Sequence, residues 1–181
     1  MARLPTITGK KDVPAKYHPI VDRVVESRGA VAGPFTMLLH CPPLAEHAMS
    51  LGHYVRFGGE LDKRGRVLAA MVVAREFDAA YIWGDQTGTP RRLGVPESTI
   101  TAVREKHSRG IPPEDAQIVD FTRDLLRKHR VSPAAMKALQ ERFGDFQLIE
   151  LTGTVGYCCF LAMTANACEL EAAQGAEVLK V

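Results

Sequence analysis

Residues 66–93, RVLAAMVVAREFDAAYIWGDQTGTPRRL, decide the fold. Val67, Leu68, Met71, Val72 and Ala74 recur at three- and four-residue steps, the period of an amphipathic helix with one buried face. Tyr81, Trp83, Asp85 and Gln86 then follow within a few residues of that apolar run. Polar groups placed directly after a buried helix either find partners in the core or face a cavity. The segment is therefore read in two ways, as the packed end of a helix and as a candidate pocket wall.

The rest of the chain frames this stretch. With 181 residues, 46% of them hydrophobic, it is long enough for one well-packed domain. A formal net charge of +2, from 23 basic and 21 acidic residues, supplies no electrostatic footprint for nucleic acid or anionic lipid. Lys10-Lys11 is short, and Arg127-Lys128-His129-Arg130 reads as cations in the last turn of a helix. No run approaches the roughly eighteen uninterrupted apolar residues of a membrane span, and MARLPTITGKKDVPAKY lacks the apolar core of a secretory signal. A soluble, cytoplasmic protein with no nucleic-acid or membrane partner is expected. Cys41, Cys158, Cys159 and Cys168 form neither a Cys-x-x-Cys pair nor a metal-type spacing, so reduced thiols and no metal site are expected.

Helix punctuation organises the remainder into an all-α single domain of about eight helices, with no convincing strand. Residues 1–15 read as an extended arm without regular structure, and 16–181 as the helical domain. Helices are predicted from 19 to 28, from 44 to 57 with Leu44, Ala48, Leu51 and Val55 on one face, and from 61 to 76. Asp78 is a plausible cap for a helix carrying Tyr81 and Trp83, which Gly84, Gly88 and Pro90 kink or split. Further helices span 96–107, 112–130, 134–143 after the Ser132-Pro133 start, and 146–173 after the Gly144 break. The last is apolar nearly all round in its middle, as expected of a central core helix.

The ordered pieces LLHCPPLAEHAMSLG, LDKRGRVLAAMVVAREFDAAYIWGDQ, LGVPESTITAV and FGDFQLIELTGTVGYCCFLAMTANA resemble the carboxymuconolactone decarboxylase family, within the alkylhydroperoxidase-D-like superfamily. The resemblance runs over nearly the whole chain after about residue 15. Residues 38–46 resemble the family's His-Ser-Pro-Glu-Leu turn, and Tyr81-Ile82-Trp83 its Tyr-Glu-Trp. Leu93-Gly94-Val95 matches the end of that helix, while Glu150-Leu151, Tyr157 and Asn166 resemble its last helix. The resemblance implies a small-molecule substrate and a homo-oligomer, a trimer or hexamer of all-α subunits.

The departures from that pattern bear on chemistry. In the thiol-peroxidase branch the site carries Cys-x-x-Cys followed four residues later by His, and here those places hold Ala79, Ile82 and Gln86. Thiol attack on a peroxide is not expected, because that reaction needs a low-pKa thiolate and a resolving partner. In the decarboxylase branch the last two places offer Glu and His, whereas Ile82 cannot titrate and Gln86 only hydrogen-bonds.

The candidate acting groups are His40, Gln86 and Asp85. His40 serves as base or acid at neutral pH or is a helix-end imidazole bonded to backbone, and Asp85 tilts inward or is solvated. Candidate substrate contacts are Tyr81, Ile82, Trp83, Arg75, Glu150 and Tyr157. Arg75 is read as a carboxylate clamp or as one half of an ion pair, Glu150 and Tyr157 as pocket groups or as ties between helices, and the aromatics as walls suited to a cyclic ligand. No cofactor motif is present. Two functions are carried forward: a cofactor-independent enzyme acting on a small cyclic or carbonyl-containing organic acid, by decarboxylation, lactone opening or isomerisation, and a catalytically silent small-molecule-binding or assembly protein.

Overall fold

The computed structural model describes residues 2–86, 88–172 and 175–179, with the side chains of Asp85 and Gln86 outside that description. Among the described residues there is no strand. Counted on the described residues alone, nine α-helical segments follow in order: α1 (His18–Arg28), α2 (Phe35–Leu38), α3 (Pro42–His53), α4 (Lys63–Glu76), α5 (Ala80–Gln86), α6 (Gly88–Arg92), α7 (Glu97–Arg104), α8 (Pro113–Lys128) and α9 (Pro133–Ala167). The α2 segment is a single turn, and a π-helical turn, Tyr54–Gly58, continues α3.

The Asp62 carboxylate starts α4 by accepting from the Gly65 N–H at 2.6 Å, which satisfies one of the unpaired donors of the first turn. The helix then buries Leu68, Ala69, Met71, Val72, Val73 and Ala74 completely. Burial of a side chain the size of Leu or Met contributes about 1.5–3 kcal/mol, and α4 takes this from α8 and α9 on either side. Arg64 adds a polar tie, holding the buried Asp115 of α8 with two parallel bonds of 2.9 Å while the Thr99 hydroxyl of α7 donates to the same carboxylate.

Ser132 caps α9 through its hydroxyl, which accepts from Ala135 N–H at 3.2 Å, and Pro133 follows in the first turn. Gly144 interrupts that helix at φ 68°, ψ 173°, a conformation open essentially to glycine, and redirects the chain so that Leu148, Leu151 and Val155 enter the core. By length and composition α9 passes for a membrane span, although no uninterrupted apolar run marks it in the sequence. One face of it packs against α4 and α8.

Three expectations change. The buried face of α3 is Ala45, Ala48, Met49 and Gly52, while Leu44 and Leu51 lie exposed, because the small side chains admit α1 closely and the leucines do not. Asp78 adopts φ 48° and pairs with Arg75 and Lys106 instead of capping α5. The arm has regular structure after all, a 3₁₀ turn at Lys10–Asp12. It packs on its own chain: Ile7 and Val13 are buried beside α1 and α2, and Ile7 N–H reaches the Thr36 carbonyl.

Candidate functional site

A cavity of about 700 Å³ lies between the α1–α2 turn, the π turn, α4, α5, α6 and the middle of α9. Helix α4 presents Val67 and Ala70, and α5 presents Tyr81 and Ile82. Thr154, Tyr157, Cys158 and Leu161 recur at three- and four-residue steps along α9, so a single helix face supplies that wall.

Five cationic side chains complete the lining: Arg28, Arg56, Lys63, Arg66 and Arg92. Among the described residues no carboxylate lines the cavity and none pairs with any of the five. Several arginines elsewhere are neutralised, Arg64, Arg75, Arg91, Arg104, Arg123 and Arg127 each meeting Asp or Glu, while Arg142 donates to the Glu114 carbonyl and the Gln117 side chain. Arg66 is held by donating to the Val55 carbonyl at 2.9 Å and Arg92 by donating to the Thr89 hydroxyl at 2.8 Å, both neutral acceptors. Among the described residues no carboxylate offsets this positive charge, and Arg66 and Arg92 are positioned by neutral acceptors.

Arg28 is the most enclosed of the five. Its guanidinium stacks 3.8 Å from the centre of the Phe35 ring and donates from Nη2 to the Tyr157 hydroxyl at 3.0 Å, while Nε has no partner. Burial lowers its affinity for a proton, an effect that Tyr157 opposes and Arg56 reinforces. Burial likewise raises the Tyr157 phenol above its usual range, against the pull of Arg28 and Arg56. Gly52 of α3 makes this pair possible, since a Cβ there would stand 2.2 Å from the Tyr157 hydroxyl. Cys158 has its thiol pushed up to about 12, chiefly by burial, with Cys159 adding to the shift and Arg56 opposing it. It is therefore neutral at physiological pH and a poor nucleophile.

Of the residues singled out from the sequence, the cavity gathers Tyr81, Ile82 and Tyr157. His40 lies exposed at the end of α2, its Nε2 2.8 Å from the Pro5 carbonyl oxygen, in the backbone-bonded arrangement. Trp83 is fully buried in the core beside Ile82 and does not line the cavity. Arg75 donates to the Arg104 carbonyl and pairs with Asp78, away from the cavity. Glu150 ties α9 to the segment before α4, accepting from the Tyr54 hydroxyl at 2.6 Å and from the N–H groups of Glu60 and Leu61. The side chains of Asp85 and Gln86 fall outside the described residues. Ala79, at the first of the three family positions, is completely buried. Among the described residues no three His, Cys, Asp or Glu side chains converge on a metal position.

The cations are what sequence reasoning missed. Lys63 and Arg66 precede Val67 and Ala70 at three- and four-residue steps on the helix that leads to Tyr81, and that spacing was a usable signal for both. Arg28, Arg56 and Arg92 come from separate segments and carry none.

No family model matches the chain, and no curated protein matches it. Solved structures do. An AhpD-core, peroxidase-related protein from Ralstonia eutropha JMP134 superposes with a TM-score of 0.76 at 18% identity, covering 96% of this chain and 93% of that one. A complex of a cysteine-to-alanine variant of the debrominase Bmp8 with 2,3,4-tribromopyrrole gives 0.71 at 16% identity, covering 96% and 95%. A putative antioxidant defence protein AhpD from Agrobacterium tumefaciens gives 0.66 at 15% identity, covering 75% and 94%. With its helices in this order around α4 and α9, the chain has the AhpD-like fold that these proteins share.

Proposed function

We propose that the cavity takes a small cyclic or carbonyl-containing organic acid and that the protein turns it over without a cofactor, by decarboxylation, lactone opening or isomerisation. One observation carries this reading: five cationic side chains surround a cavity that no described carboxylate lines. A carboxylate entering such a space gives up water, and fixed positive charge offsets that loss. Each of the three reactions builds negative charge on a carbonyl oxygen, which positioned guanidiniums stabilise more in the transition state than in the ground state. The Tyr157 hydroxyl, polarised by Arg28, is placed to give a proton to a developing carbanion or enolate and recover it from water. Tyr81 and Ile82 furnish walls for a flat ring, and the Bmp8 complex places tribromopyrrole, a small ring, in a protein of this fold. The proposal extends to a cytoplasmic homo-oligomer, the assembly being what the family resemblance implies.

A second reading, a catalytically silent binder of such an acid, is favoured by Ala79 and Ile82, which put no ionisable group where the related enzymes carry one. Thermal-shift measurements against muconolactones, keto acids and hydroperoxides separate the two, followed by turnover assays on each stabilising compound. A ligand at a hundred times its Kd stabilises the native state by about 2.7 kcal/mol whether or not it reacts. Stabilisation by an acid with turnover is the expected result. Stabilisation without turnover selects the silent binder. Response to none of the acids, with peroxide consumed only while Cys158 and Cys159 are intact, would refute both.

A further inference from the structure

Beyond the Gly144 break, α9 carries Phe146, Ile149, Gly153, Gly156, Phe160 and Met163 in alternating steps of three and four residues, the spacing of a helix–helix seam. Phe146, Ile149 and Met163 are 58%, 68% and 54% exposed, and Phe160 is half-buried. A Cβ added at Gly153 or Gly156 would meet nothing within 4 Å. Glycine is the costliest residue after proline in a helix interior, and nothing within this chain requires it at either place. The opposite face, with Leu148, Leu151, Val155 and Ala162, is buried in the core. Only 39% of the most apolar stretch of the helix is covered by its own chain.

We propose that this face docks a second copy of the same chain, the two α9 helices running antiparallel about a two-fold axis that passes between Gly153 and Gly156. The order of side-chain sizes is the argument. Outward from that midpoint one reads glycine, large apolar, large apolar in both directions: Gly153, Ile149, Phe146 one way and Gly156, Phe160, Met163 the other. A two-fold therefore sets Phe146 against Met163, Ile149 against Phe160 and Gly153 against Gly156, an isologous contact in which each pair occurs twice. The glycines let the helices approach at the centre, and the large residues close over each end.

Charge does not oppose the pairing. Glu150 is the one charged residue from 146 to 167, and its carboxylate is occupied by Tyr54, Glu60 and Leu61. The strip is about 26 Å long, and covering it removes on the order of 500 Å² per copy, about 1,000 Å² in all, the size at which a specific interface begins. An unrelated partner has no need of this symmetry, and a bilayer has no use for a pair of glycines on a narrow seam. The inference stands independently of what the cavity binds.

Light scattering on the full chain tests it, with the exposed sites Ile149→Glu and Met163→Glu substituted separately and circular dichroism verifying that each variant is folded. The unsubstituted protein is expected to contain an even number of 19.8 kDa chains, and each substitution to halve the mass. On oxidation, a Phe146→Cys chain mixed with a Met163→Cys chain is expected to cross-link, whereas neither alone exceeds the background of the native cysteines. A single-chain mass for the unsubstituted protein, an assembly that both substitutions leave intact, or a Phe146→Cys chain that links to itself would overturn the proposal. So would Ile149-dependent adsorption to phosphatidylcholine vesicles by a protein that is monomeric in solution.

Discussion

Cys158 lies on the cavity wall, and its surroundings oppose ionisation. Burial pushes the thiol from 9.0 to about 12, so at any pH below 9 about a thousandfold less of it is thiolate in the folded chain than in the unfolded one. The linkage has a definite sign. A folded pKa above the unfolded value means that the folded state prefers the neutral thiol, so this contribution to stability is fully present below pH 9 and is lost as the pH rises from 9 to about 12. Modification of Cys158 by a disulfide reagent at pH 8, followed by mass spectrometry, is expected to be at least a hundredfold slower in buffer than in denaturant. Equal rates would show a solvated, reactive thiol. The expectation against peroxidase chemistry rests on Ala79, Ile82 and Gln86 alone, because the residue types at a three-and-four spacing set what a helix face can do. Arg28 was not legible: it owes its role to Gly52 and Tyr157, which are distant in sequence and meet it only after folding.

Helix boundaries followed the punctuation wherever the signal was local. Ser132-Pro133 caps α9 and Asp62 caps α4, each through chemistry confined to a few residues. Gly144 carries the sharpest structural demand of these signals, with φ 68° and ψ 173° inside a long helical run. Gly144→Ala is expected to destabilise the fold by about 1–3 kcal/mol through backbone strain, seen as a lower urea midpoint with an unchanged slope. An unchanged midpoint would mean that α9 runs through this position without a break. Facing was harder to read than extent. In α3 apolar residues occur all round the helix, and the choice between Leu44 with Leu51 and Ala45 with Ala48 rests on how closely α1 approaches, which no periodicity encodes. The apolar character of α9 raised the same ambiguity: the sequence marked a core helix, while the structure leaves Phe146, Ile149 and Met163 outside it.

At the scale of the molecule the fold brings positive charge from α1, the π turn, α4 and α6, which no carboxylate pairs among the described residues, to one apolar-walled space. Several arginines elsewhere meet carboxylates, whereas among the described residues no carboxylate lines the cavity. Fixed cations in a half-enclosed cavity select ligands by charge first and shape second. The most direct measurement is calorimetric titration of a muconolactone, alongside its primary amide, into the unsubstituted protein and into Arg28→Gln and Arg56→Gln. Arg56→Gln serves as the variant that leaves the Arg28–Tyr157 packing in place. The account requires that the carboxylate bind, that either substitution weaken it at least tenfold, about 1.4 kcal/mol, that added salt weaken it further, and that the amide fail to bind. Equal affinity for acid and amide, or carboxylate binding unchanged in both variants, would contradict it.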